Sequence, residues 1–533
     1  MTRAAENPPS LPADPAALQA LVLAVMAQRD ALLAERDGLT AERDELLIRN
    51  QRLEHLLAKL QRLQFGRKSE RLPAEQLQLG LEAVETAIAQ TEAETEKRHP
   101  ALREERAAKR RASRGALPAH LPRIEVTLMP EDTACPCCRA PMVEIGEDRS
   151  ERLDAVPVQY RVIVTRRPKL ACRSCDGIVV QHPAPARLIE GGLPTEALVS
   201  QVAVARYADH QPLYRQAQMM ARQGVLIDRS TLAFWMGYAA AEVAPVVARL
   251  RASVLASARV FADETVVPVL DPGRGRTKQG YFWAIARDDR PWGGTDPPAV
   301  VYSYAPGRGH HYAGALLGGY RGIPQCDGYG AYKKLVKDAG KAAPTLAFCW
   351  SHLRRQFYDE VKKGAAPIAT ETLARIATLY RIEARIRGEN PDQRLAARQM
   401  ESRPLVADLR AWFDEQLPKF PGWAPTAEAI RYALNHWNGL EQFLHDGRIE
   451  LDTNTVERAI RPLILSRKNS LFAGSDEGGE TWALLASLVE TCKLNSVDPH
   501  AYLTKLLTRL VNGWPQGRID ELMPWRLTPD VPA

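Results

Sequence analysis

Residues 258–270 read ARVFADETVVPVL. The β-branched and aromatic residues on either side of Asp263 and Glu264 predict a strand, and apolar neighbours before and after the two acids predict a buried one. A carboxylate in such a strand is costly unless it binds something. The chain continues in the same texture. GYFWAIARD (280–288), AVVYSYAP (299–306), GIPQCDG (322–328) and TLAFCW (345–350) read as further strands. The pieces YAGALLGG (312–319) and YGAYKKLVK (329–337) read as helices. DPGRGRTKQG (271–280) is a glycine-rich basic turn that suits a hairpin between the first two strands. Three strands, then helix, strand, helix, strand predict a mixed α/β sheet. From SHLRRQFYDEVKK (351–363) to about 445 the chain reads as helical.

Around this sheet the 533 residues call for several domains. Hydrophobic residues at 45% and charged residues at 25% suit soluble globular protein. No uncharged apolar run of about 18 residues predicts a membrane span. MTRAAENPPSLPADPAAL lacks the apolar core of a secretory signal, so a cytoplasmic protein is expected. The net charge of +7 is mild, but residues 97–114, KRHPALREERAAKRRASR, carry eight Lys or Arg against two Glu. That run reads as a solvated linker or as a DNA contact.

Leu18, Val25, Leu32, Leu39, Leu46, Leu53 and Leu60 recur every seven residues, which predicts one seam of a coiled coil over 15–64 and self-association through it. The second seam is poorer: Val22, Arg29, Arg36, Arg43, Asn50 and Leu57. A single amphipathic helix packed on the body is the alternative. A basic helical linker follows over 65–122. Within 123–190, Cys135-x-x-Cys138 and Cys172-x-x-Cys175 are separated by short strand-like runs such as RIEVTLMP. Two such thiolate pairs complete one tetrahedral Zn²⁺ site, the zinc ribbon, with disulfides the poorer reading in a cytosolic chain. Cys137 competes with Cys138 for the second ligand position. Over 191–255, QPLYRQAQMMARQ, Gly224 and VLIDRSTLAFWMGYAAAE read as helix, turn, helix. Asp228 or Ser230 suits the cap of the second helix, and Arg229 makes its start basic, as DNA reading or plain helix packing would both allow.

Three acids carry the chemistry. Asp263 lies in the first strand, Asp327 ends the fourth strand in IPQCDGYGAY, and Glu457 opens a late helix in DTNTVERAIRPLILSRKNSLFAGS (452–475). A ribonuclease-H-like sheet would bring them together. Carboxylate oxygens suit a pair of Mg²⁺ or Mn²⁺ ions that clamp the attacking and leaving oxygens of a phosphodiester. Glu264 rivals the first position and Asp452 the third. Arg354 and Arg355 of CWSHLRR, with Arg458, Arg461, Arg467 and Lys468, supply cations for a DNA strand. Pro462 is expected to end or kink the late helix.

These motifs, in this order and over nearly the whole chain, resemble the bacterial insertion-sequence transposases of the IS66 family, the TnpC type. The resemblance rests on the zipper followed by FGRKSER, the two CxxC knuckles, FADETVVPVL, CDGYGAY, CWSHLRRQF, the 452–475 stretch and DPHAYLTKLL. It implies a multidomain α/β protein with a ribonuclease-H-like DDE core over 256–490, a helical insertion at about 360–445 and a C-terminal helical segment over 491–533. It further implies Asp263, Asp327 and Glu457 as the metal-holding set, DNA as substrate, and two small companion proteins of the same element. Many DDE enzymes carry a basic residue two turns after the Glu, where this chain has Ile464 and places Arg461 one turn after it. A DNA-binding regulator with a dead core is the alternative function; the presence of all three acids argues against it.

Overall fold

The computed structural model describes residues 14–65, 104–105, 107–109, 159–171, 179–271, 276–340, 343–364 and 366–527. The chain divides into two units, 1–159 and 160–533. The described part of the first is dominated by one helix, α1 (Pro15–Phe65), which spans the leucine repeat without a break. Its seam residues Leu18, Val25, Leu32 and Leu39 are exposed. All four knuckle cysteines lie outside the described residues. Beside the second pair, β1 (Lys169–Ala171) and β2 (Val179–Gln181) pair antiparallel, Ala171 opposite Val179. They are shorter than the strands expected there, and residues 161–168 are irregular.

Three helices precede the sheet: α2 (Glu196–Tyr207), α3 (Leu213–Ala221) and α4 (Arg229–Leu255). Asp228 stands at the N-cap of α4 without a side-chain capping bond, and Ser230 lies inside the helix. Leu232, Trp235, Met236, Ala239, Val243, Val247 and Leu250 recur at helical spacing along α4 and are buried. The second helix of the helix–turn–helix is therefore also a core helix of the α/β body. Its first turns leave Arg229, Phe234 and Tyr238 exposed. By length and hydropathy α4 and Pro15–Thr40 of α1 both reach the range of membrane-crossing helices, although neither is an unbroken apolar run. In α4 the buried face accounts for that hydropathy.

The sheet follows: β3 (Arg259–Asp271), β4 (Arg276–Arg287), β5 (Ala299–Ala305), α5 (His310–Leu317), β6 (Ile323–Cys326), α6 (Gly330–Ala339) and β7 (Ala347–Phe348). Its order is β5-β4-β3-β6-β7. β3, β4 and β5 are antiparallel neighbours, with Asp263 opposite Ala284 and Asp271 opposite Arg276 across the expected hairpin. β6 pairs parallel with β3, and β7 parallel with β6.

Helices α7 (Trp350–Val361), α8 (Pro367–Arg385), α9 (Pro391–Ala397), α10 (Arg403–Gln416), α11 (Pro425–Asn435) and α12 (Trp437–Leu440) fill the stretch that reads as helical. Then come α13 (Asn454–Ser470), α14 (Asp476–Leu494) and α15 (Pro499–Val511). α14 covers the free edge of β5 with buried hydroxyls. The Tyr302 amide donates to Ser487 Oγ (2.8 Å), and Thr491 Oγ1 accepts from the Val300 amide (3.2 Å) while donating to the Val300 carbonyl (3.0 Å). Three backbone groups on that edge are thus satisfied without another strand.

Candidate active site

The path of the chain around β6 explains how a residue 130 positions after Asp327 returns to it. Gln325, fully buried in β6, donates from Nε2 to the carbonyl of Asp452 (3.1 Å) and accepts at Oε1 from the Glu450 amide (3.2 Å). The Trp350 amide donates to the Leu451 carbonyl (3.0 Å), and the Thr453 amide to Cys349 Sγ (3.3 Å). These bonds fasten the segment before α13 alongside β6 and β7. α13 then packs across β3 and β4 and sets Glu457, in its first turn, above the sheet.

Asp263 lies near enough to Asp327 and Glu457 to feel both carboxylates. Burial, with the neighbouring carboxylates of Glu264, Asp327 and Glu457, pushes the Asp263 carboxyl up to about 8. Asp263 Oδ1 accepts only from the amide of Glu264 (2.8 Å), and Asp327 Oδ1 from the amide of Tyr329 (2.8 Å). Glu457 Oε1 has Thr453 Oγ1 at 3.4 Å and His352 Nδ1 at 3.8 Å. Each of the three keeps one carboxylate oxygen with no donor among the described residues. An oxygen-rich, under-satisfied set of this kind has the donor chemistry of a hard divalent cation, which would displace the Asp263 proton.

The two rivals are engaged otherwise. Glu264 Oε1 accepts from Arg308 Nε (2.8 Å) and Nη2 (2.6 Å), and its Oε2 accepts from the Tyr332 hydroxyl (2.9 Å). Asp452 accepts from the Asn454 amide (3.1 Å) and side chain (2.7 Å). Burial pushes both carboxyls above the usual range.

Of the cations, Arg229, Arg354, Arg355, Arg458, Arg461 and Lys468 are exposed. Arg354 lies over the ring of Tyr358, 5.4 Å from its centroid. Arg467 is half-buried and donates to the carbonyl of Val266 in β3, so it ties α13 to the sheet. Pro462 does not end α13, which runs on to Ser470. The bond lost is to the carbonyl of Arg458, an exposed residue. Ile464 packs against the core.

Sequence reading missed three things here. Cys349 and His352 gather with Glu457, their ligand atoms all within 4.8 Å of one another, a grouping that only the fold reveals. Arg308, between β5 and α5, reaches Glu264 across 44 positions. Gly328 has φ +90, and a Cβ there would come within 2.6 Å of His436 Cδ2, a neighbour that only the fold supplies.

Residues 191–481 match the family described as "Transposase IS66 family". The chain belongs to the IS66 transposase family. Residues 487–525 match the IS66 C-terminal element, 132–176 the zinc-finger binding domain of transposase IS66, and 52–126 the "Transposase C of IS166 homeodomain". All four knuckle cysteines fall within the zinc-finger match. Similar chains in Sinorhizobium fredii are uncharacterized. The protein y4qI is 47% identical over 90% of each chain, and y4hP is 35% identical over 89% of this chain and 88% of its own.

Proposed function

We propose that this IS66-family chain is a DDE transposase that cuts DNA at the ends of its insertion sequence and joins the freed 3′-hydroxyl to target DNA. The observation that carries this reading is that Asp263 on β3 feels the carboxylates of Asp327, after the end of β6, and Glu457 on α13, and that each of the three has an oxygen with no donor among the described residues. The strand order β5-β4-β3-β6-β7, three antiparallel strands followed by two parallel ones, supports a ribonuclease-H-like core. The helices between β7 and α13 are then the insertion. Asp263, Asp327 and Glu457 would hold Mg²⁺ or Mn²⁺, which supplies an activated water and charge neutralisation at the phosphodiester.

The protein's own part is positioning. Gln325 and Cys349 hold the entry to α13, so Glu457 meets two acids fixed by the sheet. The exposed cations Arg229, Arg354, Arg355 and Arg458 are candidates for phosphate contact, and Arg461 and Lys468 add to the positive charge of α13, whereas Arg467 contributes mainly by anchoring α13. The four cysteines Cys135, Cys138, Cys172 and Cys175 hold one structural Zn²⁺ in this reading, supported by the zinc-finger match. The exposed heptad leucines of α1 support self-association, which holding two element ends requires. The family resemblance also implies two small companion proteins encoded by the same element. Divalent-metal-dependent cleavage of the element's own ends tests the proposal; an end-binding protein that never cuts would be a regulator instead.

A further inference from the structure

Arg308 is the cation that the structure builds into the acid site, and its surroundings are more elaborate than an ion pair needs. Glu264, whose side chain is 1% exposed, takes two of its N–H groups on the single oxygen Oε1, at 2.8 and 2.6 Å. The other oxygen is taken by the Tyr332 hydroxyl. The ring of Tyr329 lies against the guanidinium, 3.8 Å from centroid to Cζ, and the Tyr329 hydroxyl donates to the carbonyl of Arg308 (2.9 Å). The Tyr329 amide is also the donor to Asp327 Oδ1. One residue therefore fixes both the acid and the base. Asp327 lies near enough to act electrostatically on both Glu264 and Arg308. Its Nη1 has no partner among the described residues, and 42% of the side chain remains exposed.

A guanidinium clamped by a buried carboxylate on one edge and an aromatic ring on one face keeps one edge for a ligand. An open Arg edge beside carboxylates suits phosphate, because its planar fork matches two phosphate oxygens. We infer that Arg308 binds a DNA phosphate, at or one nucleotide from the phosphodiester that is cut. Glu264 acts as its positioning residue rather than as a metal ligand. This rests on the transposase reading and names a contact within that same site.

The test uses the full-length protein, duplexes of the element's ends and Mg²⁺. Wild type must cleave; if it does not, the transposase reading fails and the phosphate contact falls with it. Given cleavage, Arg308→Ala should lower the rate on the order of 10- to 100-fold, the size of one hydrogen bond to a charged group. It should also flatten the salt dependence of end binding by about one unit of slope. Arg308→Lys should keep the slope and recover only part of the rate. A neutral methylphosphonate at the contacted position should make wild type and Arg308→Ala equal, while one placed a helical turn away should preserve the difference. Two outcomes overturn the inference although wild type cleaves. One is an Arg308→Ala enzyme of undiminished rate. The other is full recovery in Glu264→Gln with Arg308→Ala, which would mean that Arg308 only neutralises a buried carboxylate.

Discussion

Replacing Asp263 by Asn should stabilise the metal-free protein by an amount that depends on pH. The folded protein keeps the Asp263 proton to about pH 8, whereas the unfolded chain releases it near the ordinary value of 3.8. Wild-type stability attributable to this group therefore falls as pH rises from about 4 to 8 and levels off above. The amide carries no such dependence. Between pH 5 and 7 the folded form holds one proton more than the unfolded form, worth about 1.4 kcal/mol per pH unit, so the gap should widen by about 2.7 kcal/mol. At pH 7 its full size is about 4 kcal/mol, an upper bound because a buried amide is also costly. Denaturant unfolding followed by tryptophan fluorescence reads this directly, since all ten tryptophans lie at or after Trp235, in the unit that holds the site. Mg²⁺ should raise wild-type stability and close the gap. A gap that stays constant from pH 5 to 7 would refute the reasoning that burial and neighbouring carboxylates hold the proton on Asp263.

Three further outcomes are expected. Gly328→Ala forces a side chain into φ +90 and against His436, so it should cost about 1–3 kcal/mol and slow cleavage by shifting Asp327, as measured by melting and end cutting. Leu39→Pro with Leu46→Pro should lower the mass found by light scattering at matched concentration, because proline breaks α1. Cys172→Ser with Cys175→Ser should take bound zinc from about one per chain towards none by elemental analysis; full occupancy would place the ligands elsewhere.

Much of the sheet was legible because its strands are apolar runs ended by glycine, proline or charge. Asp263 and Asp327 could be placed because each sits in or just after such a run. What stayed hidden depends on long-range partners. Gln325 looks like any polar strand residue until Glu450 and Asp452 arrive beside it. Ser487 and Thr491 look like small residues on an apolar helix, yet they satisfy the edge of β5. Arg308 sits in GRGHH, a turn-like stretch with no periodic signal, and acquires meaning only through Glu264, Tyr329 and Tyr332. Pro462 does not end its helix, because a local rule for helix ends ignores the contacts made by the residues on either side. Glu457 was read correctly as a late-helix acid, but its companions Cys349 and His352 come from 105 or more positions earlier.

The most direct measurement is strand cleavage of the element's own end duplexes by Glu457→Gln beside wild type, with Mg²⁺ or Mn²⁺ and with end binding followed in the same samples. The substitution keeps size and hydrogen bonding but removes the anionic ligand. Binding should persist or tighten slightly with the loss of one repulsive charge, while cleavage should disappear, as it should for Asp263→Asn and Asp327→Asn, since the three act as one unit. Near-normal cleavage by Glu457→Gln would contradict the account and return the third position to Asp452.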